Sequence, residues 1–192
     1  MSSFRRTCLA LAISQTLTLP INAATIEVND NGDNSVNNDS VCTLREAVVT
    51  VNTGTDTGNK ENTAGCYVSG TLGPTDTITF NYSSLFKQAI TLTQALDLVI
   101  DNASVDLTID GLGEDFLTID ADGNSRVFNI ISATVSINNL TISGGSSSGN
   151  GGGIYANSSS VSLANSTVSY NSASSWGGGI RAGTSSTVSL VN

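Results

Sequence analysis

The fold is decided by residues 135–190, which read VSINNLTISGGSSSGNGGGIYANSSSVSLANSTVSYNSASSWGGGIRAGTSSTVSL. Three short segments of this stretch recur, all at the same offset along the chain. Residues 135–139 recur as 161–165, residues 141–143 recur as 167–169, and Gly151-Gly152-Gly153 recurs as Gly177-Gly178-Gly179. A third copy of the first segment starts at Thr187. Such a fixed period is typical of a solenoid, in which each repeat packs on the next.

Each repeat consists of short β segments joined by Gly and Asn, which favour sharp corners. Strands this short cannot form an independent sheet, so successive copies must pair in parallel and in register, about 4.8 Å apart. This register places Ile137 over Leu163 and Ile142 over Val168 as inward stacks, and Asn side chains at the corners can form ladders. We therefore expect an all-β fold, a right-handed parallel β-helix. A leucine-rich repeat would need a Leu-rich consensus, and a propeller would need about 40 residues per blade.

Upstream of the clear repeat, apolar and polar residues alternate with a period of two, which is typical of half-buried strands. The inward residues predicted by this alternation are Ile78 and Phe80; Leu96, Leu98 and Ile100; Val105, Leu107 and Ile109; and Leu117 and Ile119. The whole chain then divides into a signal at 1–24, an N-terminal cap at 25–70, and β-helix coils at 71–192.

One helix is predicted, and it begins with the capping-box pattern Thr43-Leu44-Arg45-Glu46. Leu44 and the valines four and seven residues later fall on one face. A helix of about ten residues is marginal alone, so we expect it to dock on the first coil and cover its open core. In this structural cap, Glu46 is expected to bind the start of the helix and Arg45 to meet backbone carbonyls of the first coil.

Residues 1–24 have the three-part layout of a secretory signal peptide. Arg5 and Arg6 form a positive start, an apolar run extends to about Leu19, and small residues after Pro20 suit cleavage. The apolar run is too short to span a membrane. We therefore expect an exported protein, extracellular or at the bacterial outer-membrane surface, with no membrane anchor in this sequence.

Cys42 and Cys66 are the two cysteines outside the signal, and an even pair in an exported protein predicts a disulfide. The bond would close a loop of about 24 residues and stabilise the fold by about 3 kcal/mol on the chain-entropy argument. Two free thiols are the alternative.

The hexapeptide Cys42-Thr43-Leu44-Arg45-Glu46-Ala47 resembles the motif of the CSLREA-type N-terminal region, with Thr43 where Ser is usual. That family places the motif after a signal and before pectin-lyase-like β-helix coils. The Gly-Gly-Gly-Ile copies and Ser169-Tyr170-Asn171 resemble the repeats of polymorphic outer-membrane proteins. The resemblance covers residues 25–192 and implies an exported β-helix protein.

Two features depart from this family. The segment 53–73 is longer than usual, and the chain stops inside a repeat, so we expect a truncated product that can self-associate through its open C-terminal coil.

Composition excludes several classes of function. The net charge is −9, or −11 without the two arginines of the signal, so nucleic acid is not an expected partner. The chain has no His, which excludes His-based catalysis and the usual zinc, copper and iron sites. Asp30-Asn31-Gly32-Asp33 with Asn37, Asn38 and Asp39 offers oxygens to Ca²⁺, but a solvated turn is the simpler interpretation because the spacing is not that of an EF-hand. No cofactor is expected.

Other residues have a chemical and a structural interpretation. The glycine runs lack the Lys-Ser/Thr of a phosphate loop and are interpreted as corners. Four aspartates face outward on the predicted coils, where a glycosidase would place its acid and base, and a lyase would need an Arg as base. These candidates are Asp106, Asp110, Asp120 and Asp122, with Arg126 and Arg181. Tyr155 and Trp176 can stack on sugars, although corner packing is the simpler interpretation.

Two functions follow from this sequence. The first is a non-catalytic surface or secreted β-helix protein, adhesin-like or with a structural or binding role outside the cell. Its expected partners are surface glycans or other cell-surface proteins. The alternative is a fragment of a β-helix polysaccharide lyase or glycoside hydrolase, which would need long irregular loops that form a groove. The regular repeats favour the first.

Overall fold

The computed structural model describes residues 23–33, 41–54 and 65–191, so most of the predicted signal lies outside the described residues. Its helices are α1 (Leu44–Thr53) and α2 (Tyr82–Leu85). Its strands are β1 (Thr25–Val28), β2 (Val68–Ser69), β3 (Thr75–Phe80), β4 (Gln88–Thr91), β5 (Leu98–Ile100), β6 (Asp106–Asp110), β7 (Leu117–Asp120), β8 (Phe128–Ile131), β9 (Thr134–Asn138), β10 (Thr141–Ser143), β11 (Ser146–Ser147), β12 (Ile154–Asn157), β13 (Ser160–Ala164), β14 (Thr167–Ser169), β15 (Ser172–Ala173), β16 (Ile180–Ala182) and β17 (Thr187–Val191).

These strands stack into a parallel β-solenoid of about four turns, which confirms the predicted fold class. Sheet 1 has the strand order β17-β13-β9-β6-β3-β1-β2, sheet 2 the order β14-β10-β7-β4, and sheet 3 the order β16-β12-β8-β5. A small pair, β11-β15, lies at a corner. Each coil gives one strand to each of the three sheets, so neighbours in a sheet come from successive coils. The right-handed winding stays a prediction.

Neighbouring coils pair in register although their lengths differ. In sheet 1, Thr75 pairs with Asp106, Asp106 with Thr134, Thr134 with Ser160 and Ser160 with Thr187. The residue numbers show that the first of these coils is the longest and that the later ones are shorter. The segments between strands absorb these differences. Strand register is fixed by the inward side chains, because a slip of one residue would turn them outward.

The core is a set of aliphatic stacks along the solenoid axis. Ile78, Ile109, Ile137 and Leu163 follow one another in sheet 1 and are at most 2% exposed. Ile90, Ile119 and Ile142 form the equivalent stack in sheet 2, and Val168 continues it. The two predicted contacts, Ile137 over Leu163 and Ile142 over Val168, are therefore confirmed. Burying each such side chain stabilises the fold by about 1.5–3 kcal/mol.

Some elements in the first coils were not predicted. Helix α2 is one turn capped by Asn81, whose side chain accepts a 3.2 Å hydrogen bond from the amide of Ser84. It is too short to produce a helical period in the sequence. Leu96 was predicted to point inward, which is wrong: it is 57% exposed because β5 begins only at Leu98 and Leu96 lies in the preceding corner.

Candidate functional site

The N-terminal cap has the predicted geometry at the start of α1. The Thr43 amide donates to Glu46 Oε2 at 2.9 Å, and the Glu46 amide donates to Thr43 Oγ1 at 3.3 Å. This reciprocal pair satisfies two amides that have no partner within the helix. Gly54 ends the helix with a φ of 60°, the left-handed conformation that glycine adopts without strain.

Arg45 connects the cap to the first coil. Its Nη1 and Nη2 donate to the carbonyl oxygens of Asp97 and Leu96 at 3.2 and 2.8 Å, as the sequence predicted. Its Nε lies 2.6 Å from Oδ1 of Asp33, whose side chain is fully buried. Asp33 also accepts from the Gln94 amide at 2.9 Å. A buried carboxylate needs such a partner, and Asp33, one of the residues whose oxygens could be offered to Ca²⁺, holds Arg45 in place. Asn37, Asn38 and Asp39 lie outside the described residues.

Helix α1 also covers the free edge of sheet 3. Asn52 Nδ2 donates to the carbonyl of Val99 at 2.7 Å, and Asn52 Oδ1 accepts from the Asp101 amide at 3.2 Å. Asn102 returns a 2.8 Å bond to the carbonyl of Val51 at the end of the helix. These contacts satisfy backbone groups in and just after β5, the first strand of that sheet, that would otherwise be available to another chain.

Cys42 and Cys66 form a disulfide, with their Cα atoms 4.6 Å apart. Both residues are buried, and Cys66 lies just before β2, which pairs with β1. The bond therefore ties the start of α1 to the first sheet.

The glycine runs are corners where two coils approach through their backbones. The amide of Gly151 donates to the carbonyl of Trp176 at 2.9 Å, and that of Gly153 donates to Gly179 at 3.0 Å. A Cβ on Gly152 would lie 2.6 Å from the carbonyl oxygen of Gly178, so no larger residue fits without movement. These glycines have a packing role in the structure.

Three of the four candidate aspartates lie on strands of two sheets, and Asp122 lies in the turn after β7. Asp106 and Asp110 are at the ends of β6 in sheet 1, whereas Asp120 is at the end of β7 in sheet 2. Asp110 accepts a 2.7 Å bond from Asn139, which is followed in the next coil by Asn165 at 3.4 Å. This is the predicted corner ladder, and it gives Asp110 a structural partner.

Arg126 is held by several groups before β8. Its side chain donates to the carbonyls of Gly151 and Asn150 at 2.7 and 2.8 Å and to the hydroxyl of Ser147 at 3.0 Å. It also lies 2.5 Å from the carboxylate of Asp97. Its planar fork therefore joins corners of different coils. If Arg126 acted as the base of a lyase, it would first have to break these hydrogen bonds and the ion pair with Asp97.

The outward side of sheet 3 differs from the other two sheets. Val99, Asn129, Tyr155 and Arg181 pair in register on successive strands, and we call this set the sheet 3 column. Arg126 lies 5.2 Å from the ring centre of Tyr155, and Arg181 lies 5.3 Å from that of Trp176. Corner packing does not account for Trp176, which is 66% exposed.

Sequence reasoning missed Asp97 and Asn129. Asp97 lies in a corner without a repeated counterpart, so no pattern marks it. Asn129 was detectable, because Asn129, Tyr155 and Arg181 are separated by the same offset that defines the repeat.

Two further observations apply to the described residues. No group of three or more Cys, Asp or Glu side chains there is arranged to hold a metal ion. Neither α1 nor α2 is long and apolar enough to cross a bilayer. Comparisons with protein-family models, curated proteins and solved structures find no match to this chain.

Proposed function

We propose that this chain is an exported, non-catalytic β-solenoid that presents a binding surface outside the cell or at the bacterial outer-membrane surface. The observation that carries this proposal is the contrast between its outward faces. The central outward column of sheet 1 is formed by hydroxyl side chains and that of sheet 2 by Ala89 and three threonines, while that of sheet 3 is formed by Val99, Asn129, Tyr155 and Arg181. The hydroxyl columns are Thr77, Thr108, Ser136, Ser162 and Ser189, and Thr118, Thr141 and Thr167.

Such a division suits a scaffold with one recognition face. Small hydroxyl side chains, together with Asp106, Asp110 and Asp120, keep two faces polar and solvated, and Ser162 donates to Ser136 at 3.0 Å across coils. Aromatic and Arg side chains are the residues that most often dominate binding surfaces. The disulfide supports export, because such bonds persist in oxidising compartments.

The finer family assignment is part of the same proposal. The cap fits a CSLREA-type region, since Thr43 and Glu46 close the capping box and Arg45 binds the first coil. The glycine corners fit repeats like those of polymorphic outer-membrane proteins on a pectin-lyase-like solenoid. An adhesin-like role is the function that agrees with all three features.

Expression of the 192-residue chain in a Gram-negative host tests this proposal. We expect the chain to be found without its leader in the periplasm, on the cell surface or in the medium. Protease added to intact cells should digest the chain only if it lies on the surface or in the medium. Leu11→Arg, which interrupts the apolar run of the leader, is the control that should stay inside the cell. Full retention of the parent chain in the cytoplasm would contradict export.

Catalysis is tested on the same purified material. The chain is incubated with polygalacturonate, alginate and xylan, and the release of unsaturated products and of reducing ends is followed. We expect no turnover above a heat-denatured control. Turnover that Arg126→Gln or Asp120→Asn abolishes would establish the enzyme alternative instead.

A further inference from the structure

The C-terminal end of the solenoid exposes side chains of a kind that the other coils bury. Leu190 follows Leu163 in the same inward stack of sheet 1, yet Leu190 is 68% exposed and Leu163 is 2% exposed. Val168 and Ile180 also border this end, where an apolar depression of about 550 Å³ opens. In the part of the chain that the structure describes, no strand pairs with the outer side of β17. This end therefore offers both apolar side chains and backbone groups to a partner.

The N-terminal end of the solenoid is closed to such pairing. Strand β2 pairs antiparallel with β1 and occupies the first edge of sheet 1. At the first edge of sheet 3, Asn52 of helix α1 binds the carbonyl of Val99 and the amide of Asp101. A second copy therefore cannot continue the stack by placing its own β17 on these edges, and a head-to-tail filament is blocked by the cap.

The distribution of charge also favours contact between two C-terminal ends. All 16 acidic residues lie within the first 122 residues, and the charged side chains beyond them are Arg126 and Arg181. Charged side chains on edge strands are a common device against association of sheets, and β17 has none. Two C-terminal ends therefore meet with one cation each on their last strands. Two N-terminal ends would instead bring together the parts of the chain that carry its net negative charge.

The sequence of β17 is complementary to itself in the antiparallel direction. When the same ends of two copies meet, the twofold rotation that relates them makes their strands antiparallel. With Ser189 opposite Ser189 of the second copy, all 5 residues of the strand pair, and Val188 lies opposite Leu190. Opposite residues of an antiparallel pair point to the same face, so inward side chains stay inward. A shift of one residue would place the inward Leu190 opposite the outward Ser189, which fixes the register.

We propose that β17 is the interface for a second copy of this chain, and that the two copies form a closed tail-to-tail dimer. Each copy contributes the same strand, and the caps lie at the two outer ends, so growth stops at two copies. Sheet 1 runs through both copies without a break, and its outward hydroxyl column doubles in length. The two apolar depressions face each other across the interface. This inference goes beyond the proposed surface function and does not depend on it.

Cysteine cross-linking of the purified 192-residue chain tests this arrangement. Ser189→Cys places two thiols opposite each other in the dimer, where oxidised glutathione can convert them to a disulfide. Ser162→Cys is the matched control, because it lies in the same outward column one coil further from the interface. The parent chain, in which Cys42 and Cys66 are joined to each other, gives the background. Thermal unfolding verifies that each variant is folded.

We expect Ser189→Cys to form covalent dimer at least about tenfold faster than Ser162→Cys, because a disulfide requires Cα atoms within about 7 Å of each other. Sedimentation equilibrium of the parent should fit monomer and dimer alone. Ser189→Asp should weaken the dimer, since like charges directly opposite each other are destabilising, and Ser162→Asp should not. Equal cross-linking of the two Cys variants, a series of larger species, or a monomer at every concentration would overturn the proposal. Each of these results leaves export and the absence of turnover unaffected.

Discussion

The Arg45 guanidinium donates a 3.2 Å hydrogen bond to the carbonyl oxygen of Asp97, 52 residues further along the chain. The carboxylate of the same Asp97 lies 2.5 Å from Arg126. One residue in a corner therefore contacts both the cap helix and the next coil. The cap is integrated into the solenoid through polar contacts as well as through its apolar face.

Arg45→Met should strongly destabilise the protein, because it leaves the buried carboxylate of Asp33 without its cation. Removing one member of a buried pair costs about 3–5 kcal/mol. Urea unfolding of the purified chain measures the change, and Lys87→Met, at an exposed cation, should stay within about 0.5 kcal/mol. Adding Asp33→Asn to Arg45→Met should recover part of the loss. A single variant as stable as the parent would show that the pair is not structural.

The disulfide between Cys42 and Cys66 is expected in the exported protein. Mass spectrometry of the non-reduced chain should show a mass lower by two hydrogen atoms than that of the reduced chain. The variant Cys42→Ser with Cys66→Ser should unfold at lower urea concentration, with a loss of about 3 kcal/mol for a loop of this length. Two alkylatable thiols in folded material would refute the bond.

Two glycines of the corners, Gly152 in a crowded position and Gly149 in an open one, allow a matched comparison of Gly→Ala variants. Gly152→Ala places a Cβ in collision with the carbonyl oxygen of Ser172 and 2.6 Å from that of Gly178, whereas the nearest atom to a Cβ on Gly149 is the Ser147 hydroxyl oxygen at 3.8 Å. Overpacking of this kind costs about 1–3 kcal/mol, so Gly152→Ala should lower the melting temperature and Gly149→Ala should leave it nearly unchanged. Equal melting temperatures of the two variants would mean that the backbone of the corner moves to accommodate a Cβ without a loss of stability.

Strand β17 forms the last edge of sheet 1, and its Leu190 and Val191 are 68% and 58% exposed. Edges of this type recruit other strands, so we expect the 192-residue chain to self-associate and Leu190→Lys to reduce this association. Sedimentation velocity measures it, with Tyr170→Lys as the control.

Hydrogen exchange should show weaker protection after about residue 180 than in residues 105–142, which lie within the stack. A monodisperse parent with even protection would contradict both expectations.

Sequence reasoning was strongest where the repeat was regular. The constant offset between copies fixes which strands pair, so the contact between Ile137 and Leu163 followed from the sequence alone. The capping box at Thr43 and Glu46 was equally readable, since it depends on local spacing alone.

Long-range polar contacts could not be predicted in the same way. That Arg45 meets carbonyls follows from its place on the cap, but its pairing with Asp33 depends on how the chain folds between them. The contact between Asp97 and Arg126 joins a corner to the start of a later strand. Neither residue has a repeated counterpart, so no period marks them.

The uneven spacing of paired strands in sheet 1 also describes how this chain can change during evolution. Differences in coil length are accommodated between the strands without disturbing the pairing. A residue inserted within a strand would reverse the orientation of every side chain beyond it. Mutations that change the length of the gene should therefore accumulate in the corners. Whole coils can be gained or lost as units, which would lengthen or shorten the surface that the protein presents.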